Sequence, residues 1–236
     1  MTPSDVLVIV PALDEEDSLP RTLAEVRQVA PGFDLLVVDD GSRDATAEAA
    51  RRQGVPVLRH AVNLGVGAAL QTGFRYAVER GYAIGVQLDA DGQHDPRFLE
   101  ALVAVVRDGR CDVAIGSRYV SHTEYRAPWL RRLGMLVFSG VVRLALGQRI
   151  ADTTSGFRAY GRGVMEIGQH EFPRDFPDAP LLIDLGRRGF RCLEVAVEMR
   201  PRRAGHSFYT LGKSLYYPYK NMLASLMVLL RRPDRR

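Results

Sequence analysis

Short apolar runs alternate with helical spacing along the first 116 residues. Five runs have the length and continuous apolar character of strands buried on both faces: Val6–Val10, Leu35–Val38, Val55–Leu58, Ile84–Leu88 and Val113–Ile115. Between them apolar residues recur on one face of a helix, for example at Leu19, Leu23, Val26 and Ala30. Strands that alternate with helices through short loops predict an α/β fold, with a mostly parallel, Rossmann-like sheet flanked by helices.

After Gly116 the pattern is less regular. It predicts a helix over 126–146, a strand over Thr153–Tyr160, a helix over 179–189 and a strand over Cys192–Met199. No linker-like break or internal repeat divides the chain. We therefore expect a single domain over residues 1–210.

The last predicted element is an amphipathic helix from Pro218 to Arg232. Its apolar stripe consists of Leu215, Tyr219, Met222, Leu226 and Leu230, and the basic residues beside it are Arg231, Arg232, Arg235 and Arg236. This combination favours a helix that lies in an anionic membrane interface. The alternative is a helix packed on the protein's own core, whose basic end complements the helix dipole. We expect 211–236 to form this C-terminal segment.

Acidic residues follow three of the predicted strands. Pro11–Glu16 follows the first strand, Asp39–Ser42 the second and Asp89–Gln93 the fourth. In open parallel sheets, ligands bind beyond the carboxyl ends of the strands. Carboxylates that meet in such a cleft are costly unless a cation or hydrogen-bond donors face them. The sequence therefore predicts a binding site at this edge of the sheet.

The third acidic segment indicates a metal site. In an extended segment alternate side chains point the same way, so Asp89, Asp91 and Gln93 are expected to lie on one side of the chain. Two close carboxylates repel each other, and a divalent cation such as Mg²⁺ or Mn²⁺ removes that conflict. The same residues also suit a solvated turn. Their position after a buried strand, beside two other acidic strand ends, favours the metal.

The second acidic segment offers two adjacent carboxylates that face opposite ways. One can meet a ligand while the other caps the helix that starts near Asp44. We assign Asp40 to the base or ribose of a nucleotide, with Asp39 as the alternative. In the first segment, Pro11 and Ala12 contribute backbone and shape, and Glu15 is the expected polar contact.

These three motifs, together with Gly116–Arg118 and Asp152–Arg158, resemble glycosyltransferase family 2. The branch that is most similar comprises dolichyl- and polyprenyl-phosphate mannose synthases, and the resemblance covers about residues 1–210. It implies a GT-A fold, inversion at the anomeric carbon and Asp91 as the main metal ligand, with Asp89 and Gln93 completing the site. The nucleotide-sugar contacts that it implies are Pro11, Ala12, Leu13, Glu15, Val38, Asp40, Asp89, Ala90, Asp91, Arg118, Arg158 and Arg203. An arginine fork suits phosphate, and Arg202 is the alternative to Arg203.

The acceptor is less determined by the sequence. The branch usually carries a serine–lysine pair after the late arginine and glycine, whereas this chain has Gly205–Phe208 without the lysine. A polyprenyl phosphate is expected to accept the sugar, and its anionic oxygen needs little help from a base. A saccharide hydroxyl in envelope or capsule synthesis is the alternative, and it requires a carboxylate base. Asp152 and Asp178 are the candidates, although Asp178 equally suits a helix cap. The resemblance favours GDP-mannose as donor, with a UDP-hexose as the alternative.

Composition and charge add little that is specific. The net charge of +4 comes from arginine, because Lys213 and Lys220 are the only lysines. Cys111 and Cys192 lie in apolar contexts that predict buried thiols. We read neither a signal peptide nor a membrane-spanning run, so we expect a cytoplasmic protein at the inner face of the membrane. Trp129 and Leu133–Leu146 offer a second membrane contact or a homodimer face.

Four functions of other classes compete with this interpretation. A non-catalytic binding module on a decayed fold would have lost one or more of the acidic groups at the strand ends, and none is missing. A metal-dependent nucleotidyltransferase shares the sheet and the metal, but residues 11–20 lack the glycine-rich, lysine-containing loop expected of it. A phosphatase-like hydrolase would carry its DxDG motif on the first strand rather than after the fourth. Nucleic-acid binding suits the arginine content but not an acidic cleft.

Overall fold

The computed structural model describes residues 4–120, 150–173, 178–200 and 222–230, and its strands form one seven-stranded sheet. The strands are β1 (Val6–Ala12), β2 (Asp34–Asp39), β3 (Val57–Arg59), β4 (Ile84–Gln87), β5 (Val113–Ser117), β6 (Arg158–Gly161) and β7 (Cys192–Ala196). Their order across the sheet is β3-β2-β1-β4-β6-β5-β7. Strand β6 runs antiparallel to both β4 and β5, and the other neighbouring pairs are parallel.

Helices cover both faces of the sheet. They are α1 (Leu19–Val29), α2 (Thr46–Arg52), α3 (Val66–Glu79), α4 (Leu99–Arg107), α5 (Arg162–Glu171), α6 (Ala179–Arg187) and α7 (222–230). Helices α1, α2 and α4 contribute buried side chains to one face, and α3, α5 and α6 to the other. Helix α7 packs on the second face through the half-buried side chains of Val228 and Leu229.

The continuous apolar runs follow from this two-sided burial. In β1, Val6, Val8 and Val10 face the layer of α1, α2 and α4, whereas Leu7 and Ile9 face the layer of α3, α5 and α6. All five side chains are buried. A central strand covered on both faces needs apolar residues at every position rather than at alternate ones. The predicted fold class is confirmed.

The first five predicted strands are present, with small shifts at their ends. Two later predictions are too long. The strand predicted over Thr153–Tyr160 begins only at Arg158, because the Arg158 side chain donates to the Thr153 carbonyl and the Phe157 nitrogen donates to Ser155 Oγ, which folds these residues into turns. The strand predicted to reach Met199 ends at Ala196.

The C-terminal helix is confirmed over 222–230, whereas the rest of its predicted range and the helix predicted over 126–146 lie outside the described residues. None of the described helices is long and apolar enough to cross a membrane. The two cysteines are buried free thiols, as predicted. Burial raises the pKa of Cys111 to about 11 and that of Cys192 to about 12, so neither is a reactive thiolate near neutral pH.

Candidate active site

The sheet brings the three acidic segments to one edge. Strands β2, β1 and β4 are parallel neighbours, so their carboxyl ends lie side by side. The register pairs Ala12 with Asp39, and the Asp40 nitrogen donates to the Ala12 carbonyl at 2.9 Å. On the other side of β1, the Leu88 nitrogen donates to Ile9 at 3.1 Å. The convergence on which the sequence argument depends is therefore present.

The loop after β1 is fastened to the loop after β2 by reciprocal hydrogen bonds. Asp14 has a left-handed backbone, with φ of 53°, and its carboxylate accepts from the Arg43 nitrogen at 2.7 Å. The Asp14 nitrogen donates to Ser42 Oγ at 3.0 Å. Aspartate and asparagine both tolerate this conformation and make such contacts. Asp14 therefore fastens the two loops into one double loop.

Glu15 is half-buried within this double loop. Its nitrogen donates to Thr46 Oγ1 at 2.8 Å, and its carboxylate accepts from the Ser18 hydroxyl. These contacts hold the side chain against the start of α1. Its contact with a nucleotide sugar stays a prediction, as do the contacts of Pro11, Leu13 and Val38.

Asp39 and Asp40 have separate hydrogen-bond partners. Asp39 Oδ1 accepts from the Ser42 nitrogen at 2.9 Å. Asp39 Oδ2 is buried and lies 3.0 Å from Arg59 Nε, but it has no hydrogen bond within the described part of the chain. The Asp40 carboxylate, by contrast, accepts from the nitrogens of Leu64 at 3.0 Å and Gly65 at 2.8 Å and lies 2.7 Å from His60 Nδ1.

The expectation that one of these two aspartates caps the helix near Asp44 is wrong. The carboxylate of Asp44 itself accepts from the Thr46 nitrogen at 3.0 Å, at the start of α2. Asp40 instead meets the two backbone nitrogens that precede α3. His60 continues this contact, because its Nε2 lies 2.9 Å from Thr72 Oγ1. Asp40 therefore joins β2 to the start of α3.

The metal motif after β4 forms a turn rather than the extended segment that the sequence argument assumed. Gly92 has a φ of 74°, and Asp91 Oδ1 accepts from the Gln93 nitrogen at 2.9 Å. The turn is buried rather than solvated, with Asp91 only 4% exposed. The Ala90 carbonyl accepts from Thr22 Oγ1 at 3.0 Å, which ties the turn to α1. The alternation of side chains is therefore not what orients Asp89 and Asp91.

Asp89 is the more exposed of the two carboxylates, at 39% of its side chain. Its Oδ1 lies 3.4 Å from Gln87 Nε2, and its Oδ2 lies 3.5 Å from His94 Nε2. Gly156 is also close, because a Cβ at that position would lie 3.1 Å from Asp89 Oδ2. The turn of 153–156 therefore packs directly against the metal motif.

The donor set fits a magnesium or manganese ion. Among the described residues, no group of three or more histidine, cysteine, aspartate or glutamate side chains is arranged to hold a metal. Asp89 and Asp91 supply carboxylate oxygens, and Gln93 adds an amide oxygen two residues later. Mg²⁺ typically binds through one or two carboxylates together with substrate phosphates and water. Two carboxylates are thus sufficient for such an ion when substrate phosphates complete its coordination.

Asp95, which follows the metal motif in the chain, forms ion pairs with two arginines. Asp95 caps the turn Pro96–Phe98 that leads into α4 and accepts from the Arg97 nitrogen at 3.0 Å. Arg200 bridges Asp95 Oδ1 at 2.9 Å and Glu25 at 2.6 Å. Burial raises the pKa of Asp95, but the hydrogen bonds from Arg97 and Arg200 outweigh it and hold the pKa below its ordinary value. Asp95 therefore stays ionised beside the site.

Arg200, the first of the three arginines in 200–203, also contacts the metal motif through its backbone. Its nitrogen donates to the Gln93 carbonyl at 2.9 Å. Met199 forms an isolated antiparallel bridge with His94. Arg203, predicted to contact phosphate, and its alternative Arg202 lie outside the described residues.

Arg118 and Asp152, which the sequence treats as separate candidates, form one buried ion pair. Arg118 Nε and Nη2 each lie 2.7 Å from a different oxygen of Asp152. The Asp152 side chain is fully buried, and that of Arg118 is 13% exposed. Glu194 on β7 holds the same segment, because its carboxylate accepts from the nitrogens of Ala151 at 2.9 Å and Asp152 at 2.8 Å.

The positions of two other predicted site residues, Arg158 and Asp178, do not by themselves support contact with a substrate. Arg158 is 1% exposed, and its Nη2 donates to the Thr153 carbonyl at 2.9 Å. A direct phosphate contact would require the turn of 153–156 to move, so the contact stays a prediction. Asp178 precedes α6, but its side chain makes no capping hydrogen bond.

Three residues beside the site were not predicted from the sequence: His94, Glu194 and Arg200. His94 directly follows the metal motif in the chain, so its proximity was a usable signal. Glu194 is a carboxylate in an apolar strand pattern, and an acidic residue there needs a partner. For Arg200 no local signal exists, because its partner Glu25 is 175 residues away.

The solved structures similar to this chain identify the fold. Glucosyl-3-phosphoglycerate synthase from Mycobacterium tuberculosis, in complex with Mn²⁺, UDP and glucosyl-3-phosphoglycerate, superposes with a TM-score of 0.75 at 20% identity, over 99% of this chain and 82% of that one. The fold is GT-A, as predicted.

The Glycosyl transferase family 2 model matches residues 7–168, and the chain belongs to that family. It is 40% identical over 167 residues to a polyprenol monophosphomannose synthase of Mycolicibacterium smegmatis, covering 68% of this chain but only 63% of that protein, less than two thirds of its length. It is 35% identical over 212 residues to an undecaprenyl-phosphate mannosyltransferase of Micrococcus luteus, covering 86% of each chain. The resemblance drawn from the motifs is confirmed.

Proposed function

We propose that this chain transfers a hexose from a nucleoside-diphosphate sugar to a polyprenyl phosphate, with inversion at the anomeric carbon. The observation that carries the proposal is the convergence of the acidic ends of β1, β2 and β4 at one edge of the sheet. Two relatives named for mannosyl transfer to polyprenyl carriers support GDP-mannose as the donor. A UDP-hexose is the alternative donor.

On the donor side, the structure favours Asp39 over Asp40 for the base or ribose. Asp40 already accepts two backbone hydrogen bonds and contacts His60. Asp39 keeps a buried oxygen that lacks a hydrogen bond within the described residues. The Arg59 guanidinium, 3.0 Å away, offsets the charge of that oxygen, and an N–H or O–H of a bound nucleoside would supply the hydrogen bond that it lacks.

Asp89, Asp91 and Gln93 would hold a divalent cation beside the diphosphate. A bound Mg²⁺ or Mn²⁺ supplies charge compensation for the leaving nucleoside diphosphate. The protein's contribution is to present two carboxylates from a turn that is closed by the Gln93–Asp91 hydrogen bond and tied to α1 by Thr22. In the sequence, Arg200, Arg202 and Arg203 directly follow Met199, whose backbone bridges to His94 beside this turn.

The acceptor side favours an oxygen that is already anionic. Asp152, one of two base candidates, is fully buried with both oxygens on Arg118, so it is poorly placed to take a proton from a hydroxyl. A phosphate oxygen of the lipid carrier can attack the anomeric carbon without prior deprotonation. The new bond joins that oxygen to the carbon, and the electron pair of the broken bond leaves with the nucleoside diphosphate.

The proposal is tested with the purified chain. We would incubate GDP-mannose or UDP-glucose with Mn²⁺ or Mg²⁺, with and without undecaprenyl phosphate, and measure nucleoside diphosphate and lipid-linked sugar. We expect a lipid-linked hexose that requires both the metal and the lipid phosphate. Transfer to a saccharide without lipid would support the envelope or capsule alternative. Pyrophosphate release from a nucleoside triphosphate and a sugar phosphate would instead indicate a nucleotidyltransferase.

Gly156 provides a local test of the metal site. In Gly156→Ala the new Cβ would lie 3.0 Å from Gln87 Nε2 and 3.1 Å from Asp89 Oδ2. We expect the Asp89 carboxylate to shift and Mn²⁺ to bind about tenfold more weakly, because small misplacements are costly at such sites. Calorimetric titration of Mn²⁺ in the presence of GDP or UDP measures this. Gly32→Ala is the control, since its Cβ would meet nothing within 4 Å, and equal affinities in both variants would contradict the prediction.

A lipid acceptor requires the enzyme to work at the membrane surface, which we propose is the cytoplasmic face. We propose that α7 makes the contact with that surface. Its outward residues Met222, Leu223, Leu226, Met227 and Leu230 are between 45% and 77% exposed. Val228 and Leu229 pack on the core, and Arg187 Nη1 donates to the Leu229 carbonyl at 2.9 Å. The helix is thus anchored on one side and apolar on the other, next to four arginines in the sequence. Trp129 and 133–146, which offer a second membrane contact or a homodimer face, lie outside the described residues, and both alternatives stay predictions.

Charge on the outward face of α7 should weaken membrane binding. We expect Leu226→Glu with Met227→Glu to lower the affinity for vesicles of equal parts phosphatidylglycerol and phosphatidylcholine by about tenfold or more, since each buried apolar side chain contributes about 1.5–3 kcal/mol. Co-sedimentation with the vesicles measures the bound fraction. Val29→Glu is the control, because Val29 is 43% exposed on a helix of the opposite face. Similar losses of vesicle affinity in both variants would argue against α7 as the membrane contact.

A further inference from the structure

His94 is a buried histidine whose two ring nitrogens both face Asp89. Nδ1 accepts a hydrogen bond from the Asp89 nitrogen at 3.1 Å. Nε2 lies 3.5 Å from Asp89 Oδ2, which is longer than an ordinary N–H···O hydrogen bond but close enough for electrostatic attraction. Since Nδ1 is the acceptor, the proton of the neutral ring resides on Nε2, the nitrogen that faces the carboxylate.

The ring of His94 is fixed by its surroundings. It stacks on the buried Phe157 ring, with centroids 4.9 Å apart and planes 11° from parallel. The backbone of His94 bridges to Met199, and the residue is only 4% exposed. The imidazole therefore cannot turn away from Asp89 without disturbing the core.

A second fixed group faces the other carboxylate oxygen. Gln87 Nε2 lies 3.4 Å from Asp89 Oδ1, and Gln87 Oε1 accepts from the Tyr160 hydroxyl at 3.3 Å. Each contact is long and individually weak. Together they restrict the rotation of a side chain that is otherwise 39% exposed. Asp91 has no need of them, because its own turn holds it through the Gln93 nitrogen.

We propose that His94 is a positioning residue that orients Asp89 for the divalent cation. This inference rests on the proposed function, because it assumes that Asp89 binds the metal. Groups that hydrogen-bond to a metal ligand fix its orientation, and their loss typically weakens metal binding about 10–100-fold. A histidine that only filled the core would affect stability and not metal affinity.

Two substitutions separate the roles of the ring nitrogens. His94→Asn retains an oxygen near Nδ1 that can accept from the Asp89 nitrogen, but it has no donor for the carboxylate. His94→Gln places an amide N–H near Nε2. The matched control is His170→Asn, on the exposed surface of α5. Free Mn²⁺ is measured by electron paramagnetic resonance with GDP or UDP present and no sugar donor, so turnover does not enter. Thermal unfolding without metal is recorded for each variant.

We expect His94→Asn to bind Mn²⁺ about 10–100-fold more weakly, His94→Gln to recover most of the affinity, and His170→Asn to match the wild type. Wild-type affinity in His94→Asn would overturn the inference. Equal losses in both His94 variants, in step with lower thermal stability, would also overturn it by assigning His94 to the core alone. If the wild type binds no Mn²⁺ with either nucleotide, the proposed function fails and the inference with it.

Discussion

Asp91→Ala should reduce metal-dependent turnover by about a thousandfold or more while leaving the fold intact. The expected loss is several kcal/mol of charge stabilisation at the leaving diphosphate, and each 1.36 kcal/mol corresponds to about a factor of ten. Asp91 is buried in a turn where its Oδ1 accepts from the Gln93 nitrogen. The substitution therefore removes both a metal ligand and a turn contact, and a second variant must separate them.

Asp91→Asn makes that separation. The amide oxygen can still accept from the Gln93 nitrogen, but the negative charge is lost, so we expect turnover nearly as low as in the alanine variant. Asp14→Asn is the control. Asp14 lies at the same edge of the sheet, and an asparagine there can keep the hydrogen bonds with Arg43 and Ser42. Steady-state rates with saturating Mn²⁺ and thermal unfolding are measured together. Near wild-type turnover in Asp91→Asn would reject Asp91 as a metal ligand.

Asp152→Ala should lower the free energy of unfolding by about 3–5 kcal/mol, because it leaves Arg118 beside the core without its partner. The two side chains are 0% and 13% exposed, and both oxygens of Asp152 bind the guanidinium. Removing one member of a buried pair is far more costly than removing an exposed pair. Urea unfolding, with both the midpoint and the slope determined, measures the change.

Glu166→Ala is the matched control for Asp152, since the Arg162–Glu166 pair is largely exposed and should contribute less than about 1 kcal/mol. The double variant Arg118→Ala with Asp152→Ala should be less destabilised than the sum of the single variants, because the two side chains interact. A stable Asp152→Ala that has lost activity would instead support the general-base role predicted for Asp152.

The parts of the fold that the sequence predicts depend on local pattern. Strand β1 is apolar at each position from Val6 to Val10 because both of its faces are covered, and this can be recognised without knowing what covers it. The end of β4 cannot be recognised in this way. Leu88 is fully buried but lies beyond Gln87, the last residue of the strand, because the chain turns there into the metal motif.

The parts of the site that the sequence did not determine depend on distant partners. Whether Asp39 or Asp40 is available to a ligand is decided by His60 and by the nitrogens of Leu64 and Gly65. The pairing of Arg118 with Asp152 crosses 34 residues of sequence. Such contacts arise only when the sheet is assembled, so residue type and spacing predict the edge of the sheet but not the hydrogen-bond partner of each carboxylate.

The place of β6 in the sheet has a consequence for the order of assembly during synthesis. β4 and β5 are consecutive in the chain, yet they do not pair with each other, because β6, which emerges from the ribosome some forty residues after β5, lies between them. A nascent chain that ends before Arg158 therefore has β4 with an open edge and no partner for β5 on that side. The sheet is completed only by a late, non-local strand, so we expect its closure to be slower than the helix formation that precedes it.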